Sequence, residues 1–135
     1  MLGKISVRKF KPKTVKTGIE TTMRKMDLQE AFVEQNPNLS KLQEECKGKQ
    51  LSINVTFYLN ENTPDKTSYK KDLDNLLKIL MDVIKDEIDD DDKKIGLGLV
   101  IGNKDEEIFE IICHKEFVQS EDEEGIDLVL SEWHR

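Results

Sequence analysis

Between residues 73 and 88, Leu73, Leu76, Leu77, Leu80, Met81, Ile84 and Ile88 recur at three- and four-residue steps. Apolar side chains at that spacing line one face of an α-helix. The opposite face carries Asp74, Asn75, Lys78, Asp82 and Lys85. So continuous a stripe has to be covered, and residues 51–59 offer the cover. There Leu51, Ile53, Val55, Phe57 and Leu59 alternate with Ser52, Asn54, Thr56 and Tyr58, the pattern of a strand with one buried and one polar face. A helix lying on a one-sided sheet is the frame into which the other segments must fit.

Those segments read as follows. Residues 4–10 suggest a first strand, with Ile5 and Val7 on one face and Ser6 and Arg8 on the other. A basic connection containing Pro12 follows. The spacing of Met23, Met26, Ala31 and Phe32 predicts a helix over about 19–35, ended by Asn36-Pro37-Asn38, because a residue before proline avoids the α region. A short helix over 39–46 closes around Gly48, and 60–71 is a polar loop with Pro64. Beyond the main helix, 95–101 reads as a third strand, Gly102-Asn103-Lys104-Asp105 as a turn, and 107–114 as a fourth strand, which together make a hairpin. The run 126–130 offers one further strand. Two or three helices against a sheet of about four mostly antiparallel strands define a single α+β domain over 1–135.

The chain has 135 residues and 36% hydrophobic content, enough for one modest core that further burial in a dimer would help. Cys46 and Cys113 fit neither a disulfide framework nor a zinc site and are expected as free thiols. No apolar run has the length of a membrane span or of a secretory leader, so no membrane partner and a cytoplasmic location are expected. The net charge of −7 argues against a general nucleic-acid coat protein, but the charge is unevenly placed. Residues 1–26 hold eight Lys/Arg against Glu20 alone, a balance of +7, and the remainder balances at −14. Much of that acid lies at 89–92 and 121–124, the latter in an acidic C-terminal extension (116–135). A basic arm beside an acidic body suits a metal-dependent nuclease; a solubilising arm and tail is the plainer alternative.

Two carboxylates bear on that choice. Asp72 and Asp74 at i and i+2 would diverge by about 200° inside a regular helix, but converge if the stretch is extended. Convergence therefore requires the helix to begin at or just after Asp74, where Asp and Asn are favoured caps. Lys78 then stands one turn on, on the same face. Capping and a favourable dipole interaction alone also explain an Asp-x-Asp-Asn at a helix start. The second cluster, 89–92, places four repelling carboxylates after the same helix, where acid opposes the macrodipole. A cation would relieve them, and an all-carboxylate donor set suits Mg²⁺ or Mn²⁺ rather than zinc. Asp74 and Asp92 stand at opposite ends of the expected helix, so they meet only if the chain runs back along it or another subunit intervenes.

The run Lys71-Asp72-Leu73-Asp74-Asn75-Leu76-Leu77-Lys78, then Met81-Asp82-Val83-Ile84, then Asp91-Asp92-Lys93-Lys94-Ile95, resembles the RusA family of Holliday junction resolvases over about residues 51–114. The resemblance implies a homodimer that binds four-way DNA junctions and cuts two strands of like polarity with Mg²⁺. It implies that Asp72, Asp74 and Asp92 are the metal-binding carboxylates, with Asp91 as the neighbouring candidate. Lys78 matches the family's essential lysine, and Asp82 a recurring position of more structural character. Arg8, Lys9, Lys11, Lys13, Lys16, Lys70 and Lys71 are the expected phosphate contacts. The chain departs from the family pattern in having Phe10-Lys11-Pro12-Lys13 for a proline-rich segment with an asparagine, and Gly102 for a lysine, with Lys104 close by. The extension after Lys115 and the acidic balance depart from it too. Two other readings stay open: a non-catalytic module with acidic clusters that bind a basic partner or a structural cation, and a nuclease for flaps, RNA or other branched molecules.

Overall fold

The computed structural model describes residues 1–12, 18–62, 73–85, 87–88, 94–99 and 107–134. Its elements in chain order are β1 (Gly3–Arg8), α1 (Gly18–Gln35), α2 (Leu39–Cys46), β2 (Leu51–Asn60), α3 (Leu73–Ile84), β3 (Glu87–Ile88), β4 (Lys94–Ile95), β5 (Ile108–Val118), a 3₁₀ turn (Glu121–Glu123) and β6 (Gly125–Glu132). Four strands form one mixed sheet in the order β1-β6-β2-β5, and β3 and β4 form a separate two-stranded ribbon. The α+β class stands as the sequence indicates.

Alternation decides which face is covered. Leu51, Ile53, Val55, Phe57 and Leu59 of β2 are all buried, as are Ile5 and Val7 of β1 and Ile126, Leu128 and Leu130 of β6. The helices lie on that face. α3 contributes Leu76, Leu80, Val83 and Ile84, α2 contributes Leu39, Leu42 and Cys46, and α1 contributes Leu28 and Phe32. Met23 and Met26, expected on the apolar face of α1, are 60% and 56% exposed instead. Leu28 and Phe32, one helical turn apart, set the buried stripe, and the methionines fall outside it.

β2 runs antiparallel to β6 and parallel to β5, from Ser52 opposite Glu110 to Asn60 opposite Val118. A parallel neighbour requires a crossover, and the connection that carries α3 supplies it. This corrects the expected hairpin between 95–101 and 107–114. Among the described residues only Lys94–Ile95 is strand there, and it pairs with Glu87–Ile88. The chain then turns on Gly96 (φ 97°) and Gly98 (φ 65°). It delivers the N–H groups of Leu97, Gly98 and Leu99 to the carbonyls of Val83 (2.7 Å), Lys85 (3.0 Å) and Ile84 (2.9 Å). The end of a helix leaves carbonyls without intrahelical donors, and here they draw the segment away from a strand. The expected turn at 102–105 lies outside the described residues. α3 also stops at Ile84, so Ile88 belongs to β3 and not to the helical stripe.

The run read as an optional last strand is central. β6 lies between β1 and β2, with Gly3 opposite Leu130 and Arg8 opposite Gly125 on one side. The outer edge of β1 is closed by side-chain amides from the end of α1. Asn36 Oδ1 accepts the Ser6 N–H (3.0 Å) and Nδ2 donates to Ser6 O (2.8 Å). Gln35 does the same for Arg8, at 2.8 and 3.0 Å. Two amides thus stand in for a fifth strand and blunt that edge.

Candidate functional site

α3 opens at Leu73, one residue earlier than convergence of Asp72 with Asp74 asks for, within the one- or two-residue latitude of any helix end. Asp74 sits in its first turn, where the helix dipole favours a carboxylate. Asp74, Asn75 and Lys78 are exposed, while Leu76 and Leu80 between them are buried. Among the described residues no ion pair involves Asp74 or Lys78. Asp82, one more turn along, is engaged: its carboxylate receives Lys25 Nζ of α1 at 2.7 Å and Lys85 Nζ at 3.6 Å. That pairing clamps α1 to α3 and leaves the first two turns of α3 as the part of the motif that faces solvent.

Residues 10–12 come close to those turns. Phe10 and Pro12 line a small crevice together with Arg24, Leu28, Leu76 and Ile79. Arg24 lies over the Phe10 ring, 5.3 Å from its centroid. Phe10 and Pro12 thus share a crevice with Leu76 and Ile79 of the helix that bears Asp74 and Lys78, and Lys9 and Lys11 are their neighbours in the chain. Lys9 takes a positive φ of 56°, which turns the chain out of β1 toward this contact. Asp72, Asp91, Asp92, Lys13, Lys16, Lys70 and Lys71 lie outside the described residues. So does the segment 89–93 that joins the paired strands β3 and β4. Among the described residues no three His, Cys, Asp or Glu side chains gather where they could hold a metal ion. A concavity of about 590 Å³ lies between the start of β1 and α2 and carries none of the expected residues.

Arg8, expected on phosphate, is committed elsewhere. Its Nη2 lies 2.9 Å from Asp127 Oδ1 and its guanidinium stacks over Tyr58, 4.5 Å from the ring centroid. Asp127 also accepts from Ser6 Oγ (2.7 Å) and Tyr58 Oη (2.8 Å), with Lys4 Nζ at 3.4 Å. Burial by itself would raise this carboxyl, but the bonds from Arg8, Ser6 and Tyr58 outweigh it and hold the pKa down to about 2. Burial and the bond to Asp127 push the Tyr58 phenol upward. The cluster ties β1, β6 and β2 together on the helix-free face. Sequence reading missed it, although Asp127 was signalled as the one charge within the apolar run 126–130.

No family model, curated protein or solved structure matches the chain. Among the described residues no helix is long and apolar enough to cross a membrane.

Proposed function

We propose that this chain is a metal-dependent endonuclease for branched DNA, with the four-way junction as its substrate. The observation that supports the reading best is the head of α3, where Asp74 and Lys78 face solvent one turn apart and Phe10 and Pro12 share a crevice with Leu76 and Ile79 of the same helix. Asp74, with Asp72 just before the helix and Asp92 beyond it, would hold Mg²⁺ or Mn²⁺. Hard carboxylate oxygens suit either ion, and Asp74 has no competing cation among the described residues. Such an ion supplies an activated water and neutralises developing charge on phosphate.

The chain's own residues do the remaining work. Lys78 offers a compact ammonium to a non-bridging phosphate oxygen, a role in which its charge counts for more than its shape. Lys9 and Lys11, with Lys13, Lys16, Lys70 and Lys71, hold duplex arms by their phosphates and read no bases. Arg8 contributes mainly through Asp127. A junction presents two equivalent phosphates, which suits two copies of one site related by a two-fold axis.

The test is incubation of a labelled four-way junction, a flap and a linear duplex with the protein in Mg²⁺ and in EDTA. The proposal expects cleavage of the junction alone, in Mg²⁺ alone. Cleavage of the flap in preference to the junction would reassign the substrate, and binding without cleavage of any DNA would leave a non-catalytic module.

A further inference from the structure

Among the described residues, only one of the sheet's two outer edges is closed. Amides of Gln35 and Asn36 cover β1, whereas among the described residues no strand pairs with the outer side of β5. β5 is also the longest strand of the sheet, with half-exposed apolar side chains on both faces, Ile111 (44% exposed) on one and Ile112 (47%) on the other. Long, apolar, uncovered edges are templates for another strand. We propose that β5 pairs antiparallel with β5 of a second copy, about a two-fold axis at Ile112, joining two sheets into one of eight strands.

The occupant follows from how the strand matches itself. Ser52 donates to Glu110, and Thr56 Oγ1 lies 2.9 Å from His114 Nε2, which places Glu110, Ile112 and His114 on the helix-free face. Antiparallel pairing of identical strands opposes residues whose numbers have a constant sum. With the axis at Ile112, Ile112 meets its own copy, Ile111 meets Cys113, and Glu110 meets His114 twice. An axis at Cys113 would set Glu110 against Glu116, which are like charges. An axis at His114 would oppose the two imidazoles and bury Glu116 against Ile112. An axis at Ile111 would bury Glu110 against Ile112. Of these four registers only the one centred on Ile112 sets Glu110 against His114, and it moves the apolar–acid mismatch out to Ile108 opposite Glu116 near the end of the strand.

Backbone direction agrees with that register. Val118 O accepts from Glu61 N on the β2 side (3.0 Å), and the pairing is regular from Glu110 to Val118. By the two-residue repeat, Ile112 also turns its polar groups inward while Ile111 and Cys113 turn theirs outward. Ile111 and Cys113 then exchange the inter-strand hydrogen bonds, and the Ile112 pair is of the close, non-hydrogen-bonded kind, with Cα atoms about 4.5 Å apart. This surface is independent of the nuclease reading.

The experiment is sedimentation and light scattering of the full chain at about 10 and 100 μM, where contacts of modest area associate. Ile112→Lys and the double variant Ile112→Cys/Cys113→Ser are run beside it. The proposal expects a wild-type dimer, a folded monomer for Ile112→Lys, and a disulfide-linked dimer of the double variant under mild oxidation, at a spacing a disulfide can bridge. A wild-type monomer throughout, or an Ile112→Lys chain that stays dimeric, overturns the proposal. A double variant that is dimeric but never cross-links overturns the register.

Discussion

Asp127 and Lys78 are two charged side chains with opposite commitments. Asp127 is buried among Arg8, Ser6, Tyr58 and Lys4, and its pKa of about 2 lies below the ordinary 3.8 of an unfolded aspartate. A carboxyl depressed by folding stabilises above its unfolded value, and that contribution is lost as pH falls through the folded one. The whole effect is about 2 kcal/mol. Urea melts of the wild type should therefore lose stability between about pH 4 and pH 2 more steeply than Asp127→Asn, which should itself be weaker by about 2 kcal/mol at neutral pH. Equal acid slopes in the two proteins would refute this. Lys78 is exposed and unengaged among the described residues, so Lys78→Met should leave the melting curve within a few tenths of a kcal/mol. If Lys78 acts on phosphate, junction cleavage should fall by about a hundredfold or more. Turnover unchanged by that substitution would return Lys78 to the role of a surface charge. Among residues, the placement of Asp74 and Lys78 one turn apart on α3 was legible because it follows from helical spacing alone. The Asp127 cluster was not, because Ser6, Tyr58 and Asp127 meet only once three distant strands align.

At the scale of elements, β2 and α2 were read with bounds close to those observed and α3 with its start, since their apolar periods are regular, while α3 ends at Ile84 and not at Ile88. The segment after β4 was misread because its alternating residues, Leu97 and Leu99, are buried against the end of α3 and not within a sheet. Gly96 makes that return: its φ is 97°, its N–H donates to Gln29 Oε1 at 3.0 Å, and a Cβ there would stand 2.0 Å from Lys85 O. Gly96→Ala should cost about 2 kcal/mol or more by thermal melting, since both the dihedral and the space oppose a side chain. A variant as stable as wild type would mean that Leu97 and Leu99 do not anchor the end of α3 as described. In α1 the exposed methionines misled the expected stripe, because a helix that shares its cover with two neighbours buries a face narrower than its apolar content suggests.

For the whole molecule, the order β1-β6-β2-β5 was beyond sequence reading. Local patterns give strands but not neighbours, and both the central place of β6 and the parallel β2–β5 pair depend on contacts between chain-distant segments. The acidic run 121–124 lies directly before that central strand, so the C-terminal part of the chain is structural and not a solubilising tail. A chain ending at residue 124 should lack cooperative unfolding by circular dichroism, because β1 would lose its strand partner and β2 one of its two. A sharp transition in that truncation would contradict the topology. The central claim is that the carboxylates at the head of α3 support metal-dependent cleavage of branched DNA. It is tested most directly by nick mapping on a labelled four-way junction in Mg²⁺, comparing the native chain with Asp72→Asn and Asp74→Asn, each first shown to be folded. Paired, symmetric nicks from the native chain that vanish in both variants are the predicted result; nicks that persist in either variant, or a native chain that leaves the junction whole, would contradict it.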